Sequence, residues 1–241
     1  MKNRRVQRPH PTNNGVGRDR RARRTRSDSM KSPSEIRFLI TAGPTREFID
    51  PIRFISNRSS GKMGYALAEA ARALSPHVVL VSGPTELARP KDVEFVPVTT
   101  TQEMADAVLA RYDHCDVSIM AAAVCDFRPK TTATQKIKKT KLGGTLELEP
   151  TIDILAELGK RKKSQTLVGF AAETEDIEAN ALDKLQRKHL DLIIANDTRA
   201  FESDTNAVTL IGRNGKPERL PEMSKTKVAA VIIQRVLGLR R

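Results

Sequence analysis

Tryptophan is absent from this chain of 241 residues, aromatic side chains make up 4% of it, and it has two cysteines. So few aromatic rings argue against a role that depends on stacking nucleic-acid bases. Two cysteines cannot build a disulfide framework, and no Cys/His cluster has the spacing of a zinc site. No apolar run reaches the roughly 18 residues that a bilayer-spanning helix needs, and the first residues lack the apolar core of a secretory signal. We therefore expect a reducing, cytoplasmic setting and no membrane partner.

Positive charge is concentrated near the N-terminus. The chain has 42 Lys and Arg against 29 Asp and Glu, and residues 1–34 carry +9 of the net charge of +13. These residues have too few apolar side chains to offset the entropy cost of ordering them, which predicts a disordered basic arm ahead of one domain over residues 35–241. Such an arm can bind phosphates of nucleic acid or of an anionic lipid surface. It can equally be a solvated extension, start-codon read-through or a transit peptide.

Short apolar runs alternate with amphipathic segments along the rest of the chain. They predict strands at 36–42, 77–81, 93–98, 117–124, 166–171 and 192–195, and helices at 61–74, 101–112, 152–163, 175–189 and 224–239. Asn214-Gly215, between apolar runs at 207–211 and 218–220, indicates a hairpin. Residues 43–60 and 128–144 are predicted as long loops. This order predicts an α/β fold with a mainly parallel sheet and crossover helices.

Two loops of the predicted sheet carry the residues best suited to a ligand, because ligands gather at the carboxyl ends of parallel strands. Residues 56–64 (SNRSSGKMG) lead directly into a helix, so their hydroxyls and backbone N–H groups favour an anion, although they could simply cap the helix. The loop after the fourth strand offers Asp126, which can accept from ribose hydroxyls or a base amino group. Further on, Lys136, Lys138 and Lys139 can close over phosphates or form a solvated charged surface.

Common nucleotide-binding motifs are missing. A P-loop would need glycine at Ser56 and a hydroxyl residue at Met63, and a dinucleotide fingerprint would need Gly-x-Gly-x-x-Gly in place of the residues that follow Gly43. Neither Tyr65 nor Tyr112 is followed four residues later by lysine, the pair expected of a short-chain oxidoreductase. A nicotinamide-dependent oxidoreductase is therefore a weak hypothesis.

Seven sequence blocks occur in the order and with the spacing of one known family. They are ITAGPTRE (40–47), DPIR (50–53), ISNRSSGKMG (55–64), AAAVCDF (121–127), KIKK (136–139), VGFAAET (168–174) and AND (195–197). Together they resemble phosphopantothenoylcysteine synthetase, the ligase of coenzyme A biosynthesis, from about Arg37 to the C-terminus. In most bacteria this domain follows a flavin-dependent decarboxylase in one chain. Nothing resembling that partner precedes Arg37, so we expect a stand-alone synthetase with a separate decarboxylase enzyme.

The resemblance implies a fold, a dimer and a reaction. The fold is a Rossmann-like three-layer sandwich with a flap and extra strands through which two copies form a homodimer. CTP, with Mg²⁺, activates 4′-phosphopantothenate as an acyl-cytidylate and releases pyrophosphate; the amine of L-cysteine then displaces CMP. This chemistry requires two anions held together and water excluded from a mixed anhydride, but no protein nucleophile. The choice of CTP over ATP comes from the resemblance alone.

The same resemblance assigns roles to individual residues. Asn57 is expected at the acyl-cytidylate carbonyl, Arg53 near the same intermediate unless it forms a structural salt bridge, and Lys136 on the flap in the cytidylating step. The expected nucleotide-binding residues are Ser59, Ser60, Gly61, Lys62, Met120, Ala121, Ala122, Asp126, Lys136, Ile152, Asp153, Ile154, Leu155, Phe170, Lys184 and Lys188. Lys184 and Lys188, four apart on a predicted helix, suit either phosphate binding or an exposed helix face. No metal ligand is assigned, because the nucleotide phosphates are expected to hold most of the Mg²⁺.

One departure from the family pattern and one competing hypothesis stay open. Many bacterial members have Asn-Pro-Asp-Ile where this chain has Thr-Ile-Asp-Ile at 151–154, so the proline that would shape the turn is replaced by Ile152. The competing hypothesis is a nucleic-acid-binding module that keeps a nucleotide fold and uses the basic arm. Removing residues 1–34 would abolish binding under that hypothesis and leave ligase activity intact under the other.

Overall fold

The computed structural model describes residues 31–139, 144–173, 176–197 and 204–240. Most of the predicted arm lies outside these ranges, but its last four residues are described. Pro33–Glu35 form a short 3₁₀ helix, and the Lys31 ammonium lies 2.6 Å from the Asp116 carboxylate. The end of the predicted arm therefore contacts the domain through Lys31 and through Ser34, whose carbonyl oxygen accepts from the Ser75 hydroxyl at 3.3 Å.

Eight strands form the central sheet. In spatial order they are β13 (Pro217–Arg219), β12 (Val208–Gly212), β10 (Leu192–Asp197), β9 (Thr166–Glu173), β6 (Val117–Met120), β1 (Phe38–Ala42), β4 (Val78–Ser82) and β5 (Glu94–Pro97). The six strands from β10 to β5 run parallel, and β12 and β13 are antiparallel to their neighbours. The mainly parallel sheet and the hairpin at Asn214-Gly215 are confirmed.

Helices cover both faces of this sheet. One face packs against α1 (Lys62–Arg72) and α5 (Lys225–Gly238), and the other against α2 (Thr101–Tyr112), α3 (Ile154–Arg161) and α4 (Ile177–Arg187). Side chains of β1 alternate between the two cores: Phe38, Ile40 and Ala42 lie in the first and Leu39 in the second. The three-layer Rossmann-like sandwich is therefore confirmed. No helix in the described ranges is long and apolar enough to cross a bilayer.

The order of the strands switches between β1 and β6. From β1 the chain continues outward to β4 and β5, and it then returns to build β6, β9 and β10 on the other side. In an open parallel sheet a crevice forms at the carboxyl ends of the two strands at such a switch, because their loops leave in opposite directions. The two loops expected to bind a ligand follow these two strands.

The prediction of an unstructured loop at 43–60 was wrong. It contains a hairpin of β2 (Arg46–Phe48) and β3 (Phe54–Ser56). The buried Asp50 closes its turn, because Oδ1 accepts from the N–H groups of Ile52 and Arg53, each at 2.9 Å. Strands of three residues are too short to show a hydrophobic period, so the sequence does not reveal them.

Two further boundaries differ from the prediction around the fourth parallel strand. That strand ends at Met120 rather than Val124, because the next residues bond to the loop after β1: Ala123 N donates to Gly43 O at 2.9 Å. The predicted loop at 128–144 starts inside β7 (Phe127–Pro129), which pairs with β8 (Leu148–Pro150). Residues 140–143 lie outside the described ranges.

Candidate active site

A cleft of about 360 Å³ lies at the carboxyl ends of the parallel strands. This volume is within the range of small-molecule sites. Many of the residues predicted from the sequence line it: Asn57, Ser59, Ser60, Gly61, Lys62, Ala121, Ala122, Asp126, Phe170 and Lys184. The fold therefore brings the loop before α1, the loop after β6 and the tip of β9 to one site.

Two glycines bring the start of α1 against the end of β1. Gly61 is the N-cap with φ +77°, and a Cβ there would lie 2.6 Å from the Thr85 methyl group. A Cβ on Gly64 would lie 2.5 Å from the Ala42 methyl group. The N-cap is a glycine and has no side chain to bond the first turn, and the N–H groups of that turn and the positive end of the helix dipole lie beside the cleft. This geometry supports the anion-binding interpretation of the loop.

Asn57 ties the two strand-tip loops together. Its Nδ2 donates to the carbonyl oxygens of Ala123 at 3.1 Å and Val124 at 2.8 Å. The side chain is exposed at the cleft. An amide group therefore lies between the α1 loop and the β6 loop, at the surface of the cleft.

Polar groups also come from the opposite end of the cleft. The Lys184 ammonium on α4 donates to the carbonyl oxygen of Phe170 at 2.9 Å, which fixes the lysine at the tip of β9. Asp126 presents an exposed carboxylate, and its main-chain carbonyl accepts from Thr151 N at 2.9 Å. The cleft thus combines the Lys184 ammonium with the Asp126 carboxylate.

A thiol next to this loop does not form a nucleophilic centre. Cys125 is 4% exposed, and its Sγ lies 3.5 Å from the carbonyl oxygen of Thr45. Burial is the largest influence on the thiol and raises its pKa above the ordinary value. A protonated, buried thiol is a poor nucleophile.

Arg53 does not line the cleft. Its guanidinium pairs with the buried Asp50 carboxylate at the β2–β3 turn and donates to the carbonyl oxygen of Ile137 at 3.1 Å. The hydrogen bond from Arg53 is the main reason that the pKa of Asp50 is lowered. Arg53 thus forms the structural salt bridge that the sequence left open, and it anchors the segment that carries Lys136.

Lys136 lies outside the cleft as well. It is exposed, and its neighbour Ile137 is fixed at the β2–β3 turn because Ile137 N donates to Asp50 Oδ2 at 3.2 Å. Asn57 follows the other end of the same hairpin, directly after β3. The hairpin therefore links the two residues that the sequence expects to act in one reaction.

The segment 151–155 and Lys188 have structural contacts away from the cleft. Asp153 caps α3 by accepting from Ala156 N at 3.0 Å and pairs with the Lys188 ammonium at 2.6 Å. Burial raises the pKa of Asp153, but Lys188 and the cap outweigh it and leave a lowered value. Ile154 and Leu155 are buried in the second core. Ile152 packs against the same core and Met120 is buried in it, so neither side chain lines the cleft.

Four polar residues to which the sequence reasoning gave no role in the site also line the cleft: Arg58, Asn196, Asn206 and Lys225. Arg58 lies in the block ISNRSSGKMG. Asn196 lies in a block that carries the family resemblance, at the end of β10. Lys225 had a weak signal, because a lysine directly after a capping serine places a cation at the unfavourable end of a helix dipole. Asn206 lies in a strand of two residues and had none.

Metal ligands were left unassigned by the sequence. In the part of the chain that the structure describes, no group of three or more His, Cys, Asp or Glu could hold a metal ion. Mg²⁺ needs few protein ligands when phosphates supply the rest of its oxygen shell. Asp126 is a carboxylate at the cleft that fits this role.

Comparisons with curated proteins find relatives with longer chains. The coenzyme A biosynthesis bifunctional protein CoaBC of Bacillus subtilis (strain 168) is 54% identical over 208 residues, which cover 84% of this chain and 51% of that protein. A cysteine/cysteine sulfinic acid decarboxylase from an unknown prokaryotic organism is 47% identical over 210 residues, covering 84% of this chain and 58% of that protein. The chain spans little more than half the length of these relatives.

Solved structures and a family comparison agree on the domain. The crystal structure of the C-terminal domain of CoaBC superposes with a TM-score of 0.75 at 44% identity, covering 87% of this chain and 98% of that one. A DNA/pantothenate metabolism flavoprotein from Streptococcus pneumoniae shares the fold, with a TM-score of 0.74 at 23% identity over 84% of this chain and 99% of that one. Residues 34–239 match the family described as the DNA/pantothenate metabolism flavoprotein C-terminal domain. The chain belongs to that family.

Proposed function

We propose that this domain is a CTP-dependent phosphopantothenate–cysteine ligase of coenzyme A biosynthesis. The observation that carries the proposal is the bridge from Asn57 to the β6 loop, beside the uncapped start of α1. In this proposal the start of α1 binds phosphate and the Asn57 amide binds a carbonyl group, and both line the same cleft. The names of the CoaBC relatives support the same pathway.

The reaction has two halves. In the first, a carboxylate oxygen of 4′-phosphopantothenate attacks the α-phosphorus of CTP, the bond to the β-phosphate breaks, and pyrophosphate leaves. In the second, the amine of L-cysteine attacks the acyl carbonyl, loses a proton, and CMP leaves as the amide forms. Both halves depend on offsetting phosphate charge and excluding water, which fixed N–H donors and lysines in a cleft can do.

Each described group has a role in this scheme. The α1 loop (Ser59 to Lys62) and Lys184 bind phosphates, and Asp126 accepts from nucleoside hydroxyls. Asn57 exchanges one of its two carbonyl partners for the acyl carbonyl of the intermediate. When bound, Mg²⁺ would neutralise triphosphate charge, with the phosphates supplying most of its oxygen ligands.

Arg53, Lys188 and the 151–155 segment have positioning roles in this proposal. Arg53 holds the segment that carries Lys136 through the carbonyl of Ile137. Lys188 and Asp153 hold the start of α3, beside the Thr151 contact with the Asp126 loop. Lys136 acts in the first half-reaction, where a cation can offset charge on the transferring phosphoryl group.

The proposal includes a homodimer formed through the two small hairpins. They carry large apolar side chains that are about half exposed: Ile52, Phe54, Phe127 and Leu148. Exposed apolar clusters of this kind mark protein interfaces. Lys136 lies between β7 and β8, so pairing through these hairpins brings it near a subunit boundary. A cytoplasmic location and a separate decarboxylase complete the proposal.

Pyrophosphate release tests the function. The protein is mixed with Mg²⁺, 4′-phosphopantothenate, L-cysteine and either CTP or ATP, and pyrophosphate and the amide product are followed together. We expect both products with CTP, and ATP in excess should compete poorly. If pyrophosphate is released with neither CTP nor ATP, the ligase assignment is contradicted. Equal rates of pyrophosphate release with CTP and with ATP would contradict only the choice of CTP.

A further inference from the structure

A buried lysine and a buried asparagine form one wall of the cleft, apart from the residues already assigned. Asn206 lies in β11 (Thr205–Asn206), which pairs with β14 (Met223–Ser224) directly before α5. Ser224 caps α5 by accepting from Lys227 N. The main chain on both sides of Lys225, the first residue of α5, is therefore fixed.

Two helices begin with a lysine at this wall. Lys62 starts α1 and Lys225 starts α5, and neither helix has an acidic residue in its first turn. A cation at a helix N-terminus is opposed by the helix dipole, so two of them converging on one cleft favour a bound anion. Lys225 is 7% exposed; its pKa is lowered, first by burial and then by the charge of Lys62.

Asp204 contacts both lysines, one through its side chain and the other through its main chain. It lies 2.6 Å from the Lys62 ammonium, and its main-chain carbonyl accepts from Lys225 N at 3.0 Å. Asp204 is 86% exposed in its side chain, so water screens this ion pair and it is weak. A phosphate can therefore displace Asp204 from Lys62 at little cost.

Asn206 supplies the second, independent observation. It is 4% exposed, and its Oδ1 accepts no hydrogen bond from any residue that the structure describes. A buried acceptor without a donor is unfavourable, because it has lost its hydrogen bonds to water without replacement. Because the residue lines the cleft, a ligand with an O–H or N–H group can supply that donor.

We propose that Lys225 and Asn206, with Lys62, form a subsite for the sugar–phosphate part of the nucleotide. Phosphate oxygens accept from the two lysines, and a ribose hydroxyl donates to Asn206. This inference rests on the proposed function, because it assigns the nucleotide of that reaction. 4′-Phosphopantothenate also carries a phosphate and hydroxyls, so the test must separate the two substrates.

Calorimetric titration of the whole protein tests the subsite with four probes: CTP, 3′-deoxy-CTP, inorganic tripolyphosphate and 4′-phosphopantothenate. Lys225→Met should weaken the binding of CTP and of tripolyphosphate at least about tenfold. Lys227→Met, which removes an exposed lysine two residues later, is the matched control and should bind as the parent does. Asn206→Ala should weaken CTP binding about threefold or more. Its affinity for tripolyphosphate should be unchanged, because tripolyphosphate has no ribose hydroxyl to donate to Asn206. It should also reduce the preference for CTP over 3′-deoxy-CTP.

Stability distinguishes a ligand-binding asparagine from a structural one. Removing an unpaired buried oxygen should leave the thermal midpoint of Asn206→Ala unchanged or higher, whereas a lower midpoint with normal CTP affinity would overturn its role. Parental CTP affinity in Lys225→Met, or a loss confined to 4′-phosphopantothenate, would overturn the nucleotide assignment. If the parent bound CTP through Lys225 but released no pyrophosphate, the proposed function would fail and the subsite would stand.

Discussion

The Asn57 amide donates to the main-chain carbonyl of Val124 at 2.8 Å and so joins two loops that are 67 residues apart in the sequence. The loops follow β1 and β6, which lie next to each other where the strand order switches. One side chain thus joins the two loops at the cleft. Changes at this residue should affect the reaction more than the fold.

Asn57→Asp separates the two half-reactions. The carboxylate cannot donate to an acyl carbonyl, so pyrophosphate should still be released while formation of the amide slows about a hundredfold or more. Acyl-cytidylate should accumulate and be detectable by mass spectrometry after a single turnover. Asn214→Asp, in the β12–β13 turn, makes the same chemical change and should have no effect; normal product formation by Asn57→Asp would remove Asn57 from the mechanism.

Lys136→Gln should block the first half-reaction. Loss of a cation that offsets charge on the transferring phosphoryl group should slow pyrophosphate release by roughly a hundredfold. Lys160 on α3 provides a control, since Lys160→Gln removes the same charge from an exposed position outside the cleft. Equal rates in the two variants would show that Lys136 belongs to a solvated surface.

Gly64→Ala should displace the start of α1. The new methyl group would lie 2.5 Å from the Ala42 methyl group and 2.8 Å from the carbonyl oxygen of Thr41, so we expect a loss of about 1–3 kcal/mol in unfolding free energy and weaker nucleotide binding. Gly238→Ala has open space around it and should be neutral or slightly stabilising. Urea denaturation measures both; equal stability would contradict the close approach of helix and strand.

Stability below pH 4 should depend on Asp116. Burial raises the pKa of this carboxyl, but hydrogen bonds from Arg37 and Lys31 outweigh burial and hold it at about 2, against an ordinary value of 3.8. Because the unfolded state then binds more protons, the free energy of unfolding falls as pH drops from 3.8 towards 2. Asp116→Asn should abolish this part of the pH dependence, at most about 2 kcal/mol. Urea titrations at several pH values measure this effect, and the control variant Asp113→Asn should keep the pH dependence of the parent.

Phe127→Ser should dissociate the proposed dimer. The side chain is 52% exposed on β7, so the change removes apolar contact area without opening a core. Light scattering after gel filtration should give the mass of a monomer, with the thermal midpoint of that monomer measured alongside. Leu239, 47% exposed after α5, is the control position. An unchanged mass for Phe127→Ser, equal to that of Leu239→Ser, would place any interface elsewhere.

The sequence predicted the central sheet because its strands are buried on both faces and therefore read as apolar runs. The same signal failed at Val124, where apolar residues leave the sheet to bond the loop after β1. It also failed at the hairpin around Asp50, whose strands have three residues each. The hydrophobic pattern of a sequence indicates how long a segment is and whether it is buried. It does not show which backbone group each residue bonds to.

The sequence also predicted part of the site. The motif residues that follow β3 and those that follow β6 do meet in the cleft. Residues 152–155 were also expected to bind the nucleotide, but their side chains pack in the core or cap α3. Lys225 and Asn206 join the cleft from the end of the chain, where no motif marked them.

By itself the sequence determined which segments are buried, how they alternate, and which polar loops follow them, because these properties depend on neighbours along the chain. Tertiary structure alone decided that Asn57 bonds to Val124, that Arg53 forms a salt bridge with Asp50, and that Lys225 lines the cleft. Such contacts depend on strand order and on crossings between distant segments. The physical reason is that a hydrogen bond or a salt bridge forms wherever packing brings its partners together, whatever their separation in sequence.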